Sequence, residues 1–118
     1  MMNEEYERVL YSQLTIGRFL YLKREIIRKH PPRFDYATTL RIDNQLMVGA
    51  NLVVDGKLIE LAIWPNVKIS EEDNKRKDSK EYPFTITVHC TDKKARQRFV
   101  EELETIIQKS EIHHRREN

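Results

Sequence analysis

The chain has 118 residues, a net charge of +2, 34% charged and 39% hydrophobic side chains. That length suits one domain able to bury a core without disulfides or metals, and the near balance of charge lacks the strongly basic footprint of a dedicated nucleic-acid binder. The single cysteine, Cys90, excludes an internal disulfide and fits a reducing compartment; with no secretory pattern at the start and no apolar run near ~18 residues, the expectation is a cytoplasmic protein without membrane contact.

Residues 3–29 predict one long helix. Val9, Ile16, Leu20 and Ile27 share a face, with Tyr6, Leu10, Leu14 and Tyr21 beside them. Phe19, Leu22 and Ile26 fall outside that stripe, making the apolar arc broader than one sheet contact requires. Either the helix is deeply embedded in its own domain, or its second face meets another copy of the chain, in which case Phe19, Leu22 and Ile26 are the expected partner interface. Glu4, Glu5 and Glu7 at the start and Arg24, Arg28 and Lys29 at the end match the helix dipole. Gly17 weakens the middle, and Pro31-Pro32 ends the helix.

A first strand is expected over Asp35–Ile42. A two-residue turn at Asp43-Asn44 would pair Leu40 with Met47. A three-residue loop with a bulge aligns Tyr36, Thr38, Leu40 and Ile42 with Leu52, Ala50, Val48 and Leu46, and is favoured because it keeps the apolar set on one face. Next comes the clearest signal in the chain, Asp55-Gly56 between two apolar runs, which predicts a type I′ hairpin. Its register sets Leu52 opposite Ile59, Ala50 opposite Leu61 and Val48 opposite Ile63. Residues Ser70–Tyr82 read as a solvated loop whose acidic and basic blocks cancel. Phe84–Cys90 alternates as a strand, with Phe84, Ile86, Val88 and Cys90 inward and Thr85, Thr87 and His89 outward. A last helix from Asp92 to about Lys109, capped by Thr91, buries Ala95, Phe99, Leu103 and Ile106, flanked by Val100 and Ile107. Residues 1–110 thus form a single domain, and 111–118, with His113-His114-Arg115-Arg116, a flexible basic tail.

The fold class expected is α+β: two layers, a four-stranded, mainly antiparallel meander covered on one face by the N- and C-terminal helices, in the order α-β-β-β-β-α. Catalysis finds no support in a phosphate loop, a His-Glu-x-x-His helix or a nucleophile with a base. Cys90 reads as a core thiol, His89 as a polar strand residue, and His113 and His114 lack the spacing of a helical metal pair. No catalytic residue, metal, cofactor or small-molecule ligand is assigned. The function expected is a non-catalytic protein–protein interaction or adaptor domain, homodimeric through the N-terminal helix or an open sheet edge. Nucleic acid is the second partner class, because Lys93, Lys94, Arg96 and Arg98 crowd the first turns of the last helix, where positive charge opposes the dipole and an anion would be welcome.

The helix, the antiparallel meander and the closing helix that opens with Lys93-Lys94-Ala95-Arg96 resemble in outline the double-stranded-RNA-binding domain. That resemblance implies phosphate contacts by the basic run. The chain departs from the pattern in its fourth strand, its long loop and the Phe99-Val100 pair where that family has small residues, and it lacks the glycine-rich approach to the helix. The same outline is similar to small dimeric secretion chaperones, which implies a dimer, although those tend to be acidic.

Overall fold

Asp55 and Gly56 both take positive φ, 52° and 76°, so the hairpin closes on the turn that matches the twist of its strands. The computed structural model describes residues 6–31, 38–42, 45–76 and 80–115. In it β3 (Gln45–Val54) and β4 (Lys57–Pro65) pair as Val54↔Lys57, Leu52↔Ile59, Ala50↔Leu61 and Val48↔Ile63, the register the sequence predicts. With β1 (Glu7–Thr15), β2 (Thr38–Ile42) and β5 (Glu81–His89) they build an antiparallel sheet in the order β1-β5-β4-β3-β2. The helices are α1 (Ile16–Lys29), the single-turn α2 (Glu71–Lys75) and α3 (Lys93–Arg115). The fold is mixed α+β, with its meander in the predicted order.

Its first element differs from the prediction. The helix expected over residues 3–29 begins only at Ile16, and Glu7–Thr15 is a fifth strand paired along its whole length with β5. The reason is local. Thr15 is extended at φ −72°, ψ 163°, and its hydroxyl accepts from the Arg18 amide, which makes it the cap that starts α1. Before the cap the period is two, and after it 3.6. From Ile16 onward the stripe is Ile16, Phe19, Leu22 and Ile26, all buried. Gly17 consequently sits in the first turn of α1 rather than mid-helix.

The β2–β3 register is the other correction. Leu40 pairs with Met47 and Thr38 with Gly49, the arrangement of a two-residue turn, so the bulged alignment with Val48 and Ala50 does not form. The expected start of that strand at Asp35, with Tyr36, lies outside the described residues, as do the Asp43-Asn44 turn and residues 116–118.

Every strand inside the core obeys one parity. Val48, Ala50, Leu52 and Val54 of β3, Ile59, Leu61 and Ile63 of β4, Tyr82, Phe84, Ile86 and Val88 of β5, and Leu14 of β1 are buried and lie in register with one another. They share a single core with Phe19, Leu22 and Ile26 of α1 and Ala95, Phe99, Leu103 and Ile106 of α3. Phe19 stacks on Phe84 with ring centres 5.0 Å apart. The segment expected as a solvated loop, Ser70–Tyr82, is partly built in: Ser70 caps α2 by accepting from the Asp73 amide, and Glu81 and the buried Tyr82 already belong to β5. At the far end α3 continues past Lys109 to Arg115.

Arg18 joins four elements at one corner. Its guanidinium donates to Ser110 Oγ (3.0 Å), the Ile107 carbonyl (3.2 Å), the Gln13 carbonyl (3.3 Å) and Glu81 Oε2 (3.1 Å). The Arg18 side chain is nearly buried while that of Glu81 is half exposed, so the hydrogen bonds to α3 and β1 outweigh the screened ion pair. Replacing Arg18 with Met is expected to lower stability by about 2–4 kcal/mol in urea denaturation. Glu81→Gln is expected to cost less than about 1 kcal/mol; equal losses would show that the ion pair dominates.

Candidate functional site

The four basic residues at the start of α3 do not form one patch. Arg96 is only 8% exposed, and its Nη1 donates to the Cys90 carbonyl at 3.0 Å. Arg98 reaches across to the β3–β4 turn, where Nη1 lies 3.2 Å from Asp55 Oδ2. Lys93 and Lys94 are exposed. The helix N-terminus already holds an anion of its own, since Asp92 Oδ1 accepts from the Ala95 amide at 2.9 Å and Oδ2 lies 4.0 Å from Lys57 Nζ. Asp92, rather than Thr91, therefore makes the capping bond. That backbone hydrogen bond, helped by Lys57 and Lys94, holds the Asp92 carboxyl below the usual carboxylate range.

Phe19, Leu22 and Ile26, expected to face a partner, are 0%, 0% and 2% exposed. They are the core stripe of α1. With the helix starting at Ile16, Val9, Leu10 and Leu14 no longer belong to its stripe, and the face of Ile16, Phe19, Leu22 and Ile26 is the one buried. Cys90 is buried, as its strand parity predicts, and its amide donates to the Tyr6 carbonyl at 2.7 Å. His89 lies on the other face, with Nδ1 3.6 Å from Glu60 Oε2 and its ring 6.4 Å from that of Tyr6. His30, next to the helix end, binds Glu102 Oε2 at 2.8 Å and meets the Phe99 ring edge-on, tying α1 to α3. Among the described residues no three His, Cys, Asp or Glu side chains are placed to hold a metal ion, and no helix is long and apolar enough to cross a membrane.

The sequence reading names an open sheet edge but, taking residues 7–15 as helix, does not place it on β1. Among the described residues this strand ends the sheet, paired to β5 alone. Its nine-residue register runs without a bulge, and from Val9 to Thr15 it contains neither a charge nor a proline. Exposed sheet edges are usually guarded by Lys, Pro, a bulge or short length; β1 has none of these in its central part. Tyr11, at its middle, is 77% exposed. Beside the strand a groove of ≈ 370 Å³ separates Glu7 and Arg8 from the side of α3 that carries Lys93, Gln97, Glu101 and Glu104.

The sheet face opposite the core is more mixed. One row runs Gly49–Ala62–Thr87–Val9 and the next contains Trp64–Thr85–Tyr11. Gly49 has ordinary strand φ, and a Cβ added there would meet nothing within 4 Å. Thr85 is buried and donates to Asn66 Oδ1 at 2.7 Å. The signal for the edge strand was present as alternation of Leu10, Ser12 and Leu14 against Val9, Tyr11 and Gln13, ended by a threonine that can cap a helix. The chain matches no family model, no curated protein and no solved structure.

Because the folded Asp92 carboxyl titrates below its unfolded range, its contribution to stability is present above that range and is lost as pH falls through the lower folded value. Asp92→Ala is expected to be less stable than wild type near neutral pH, with the gap closing below about pH 4. Denaturant midpoints compared across that interval check it; a gap that stays constant would show that the carboxylate charge is irrelevant.

Proposed function

We propose that this protein is a non-catalytic protein–protein interaction domain that acts as a homodimer, its two copies joined along the free edge of β1. The observation that carries this reading is the long, unbulged edge strand, uncharged from Val9 to Thr15. An antiparallel partner strand would satisfy the outward backbone groups of β1 at Val9 and Tyr11, extending one sheet into the next; the Gln13 carbonyl already accepts from Arg18. The exposed Tyr11 at the strand's middle would gain cover in the same step. The buried thiol of Cys90 suits a reducing compartment, and the proposal places the domain in the cytoplasm. Nucleic-acid binding by Lys93, Lys94, Arg96 and Arg98 has weaker support, because Arg96 and Arg98 hold partners within the chain and Asp92 occupies the helix N-terminus.

Sedimentation velocity at tens of micromolar is expected to give the two-chain mass. Tyr11→Lys places on the edge the charge that guards other sheets and is expected to weaken association by about tenfold or more, with the circular dichroism of the monomer unchanged because Tyr11 is outside the core. Gly49→Arg, set on the open face where a side chain has room, is expected to leave the dimer intact. A monomeric wild type overturns the proposal, and dissociation by Gly49→Arg but not Tyr11→Lys moves the interface to the sheet face.

A further inference from the structure

We infer that Arg18 sets the limit of the β1 edge: by holding the Gln13 carbonyl it confines strand addition to the backbone of Glu7, Val9 and Tyr11. This rests on the edge-to-edge reading above and goes further by naming the residues that carry the contact and the side chain that ends it.

Successive residues of a strand turn their N–H and C=O groups to opposite sides, so one hydrogen bond fixes the phase of all the others. The Cys90 amide donates to the Tyr6 carbonyl at 2.7 Å, and the register that pairs Glu7 with His89 sets Tyr6 opposite Cys90. Tyr6 therefore turns its backbone toward β5, as do Arg8, Leu10, Ser12 and Leu14. Glu7, Val9, Tyr11 and Gln13 turn theirs away. Two further bonds agree. The Pro83 carbonyl accepts from the Asn66 amide at 2.8 Å, so Pro83, which pairs with Gln13, faces β4 rather than β1. The Gln13 carbonyl itself accepts from Arg18 Nη1 at 3.3 Å, on the side away from β5.

That last bond closes the edge. The Arg18 side chain is nearly buried and is fixed by Ser110 and Ile107 of α3 and by Glu81 of β5. Its guanidinium stands at Gln13 as a fixed obstacle, the role that charged side chains play on other sheet edges. Just beyond, Thr15 leaves the strand to cap α1. What remains is Glu7–Tyr11, about 17 Å of strand, a usual length for one member of a sheet. In an antiparallel ladder outward residues pair with outward residues. The set in one copy is therefore met by the same set in a second copy, an isologous contact.

Proline lacks the N–H, which makes it a probe of this phase. Val9→Pro removes an outward donor and leaves the bonds to β5 whole. It is expected to keep the wild-type circular dichroism and to weaken the dimer by about tenfold or more in sedimentation equilibrium. Gln13→Pro removes an outward N–H beyond the limit and is expected to leave the dimer intact. Hydrogen exchange, quenched after incubation of dilute and of concentrated wild type, reads the same limit without a substitution. The Val9 and Tyr11 amides are expected to slow with concentration by about tenfold or more, the Gln13 amide to exchange alike in both, and the Arg8, Leu10 and Ser12 amides to be protected throughout. In Arg18→Met the concentration-dependent protection is expected to spread to Gln13. A wild-type monomer overturns this limit and the edge-to-edge reading together. A dimer that Gln13→Pro weakens as much as Val9→Pro, wild-type protection that already reaches Gln13, or protection that still stops at Tyr11 in Arg18→Met overturns the limit alone.

Discussion

The hydrogen bond from the Arg18 amide to the Thr15 hydroxyl marks the point at which strand becomes helix, and most of the architecture follows from where that point lies. Because the helix starts at Ile16, the residues before it are free to pair with β5 and complete the sheet. In the helix that follows, Phe19 reaches Phe84 and Leu22 and Ile26 enter the core. It also delivers the Arg18 side chain, one turn into the helix, to the corner where β1, β5 and α3 converge. A cap is worth about 1 kcal/mol, but here its position marks where strand gives way to helix.

Several charged side chains in this protein join its own elements. Arg18 ties the two long helices and both neighbouring strands, His30 and Glu102 join α1 to α3, and Arg98 joins α3 to the β3–β4 turn. Arg96 closes the β5–α3 connection through the Cys90 carbonyl. A basic run that looks like a binding patch on paper is thereby divided between solvent and the protein's own carbonyls and carboxylates.

The two faces of the sheet explain why one strand register was misread. The favoured alignment of β2 assumed a single apolar face, with everything aliphatic turned toward the helices. The open face, however, also carries Val9, Ala62, Trp64 and Met47, partly covered rather than fully exposed. Pairing Leu40 with Met47 is consistent with an apolar population on both sides, and the bulge needed to avoid it does not form. Periodicity identifies an apolar face only when the other face is polar.

Local chemistry was enough for the centre of the molecule. Asp55-Gly56 imposes positive φ on two successive residues, and the flanking alternation then fixes every pair of the β3–β4 hairpin; the stripe of α3 and the parity of β5 are equally local and were equally readable. What the chain alone did not decide is the role of residues 7–15 and the burial of Phe19, Leu22 and Ile26, since apolar residues at those positions satisfy a helical and an extended pattern almost equally well. Only pairing with β5, a strand some seventy residues later, chooses between them, and that choice turned an expected helix surface into core and an expected helix into the exposed edge.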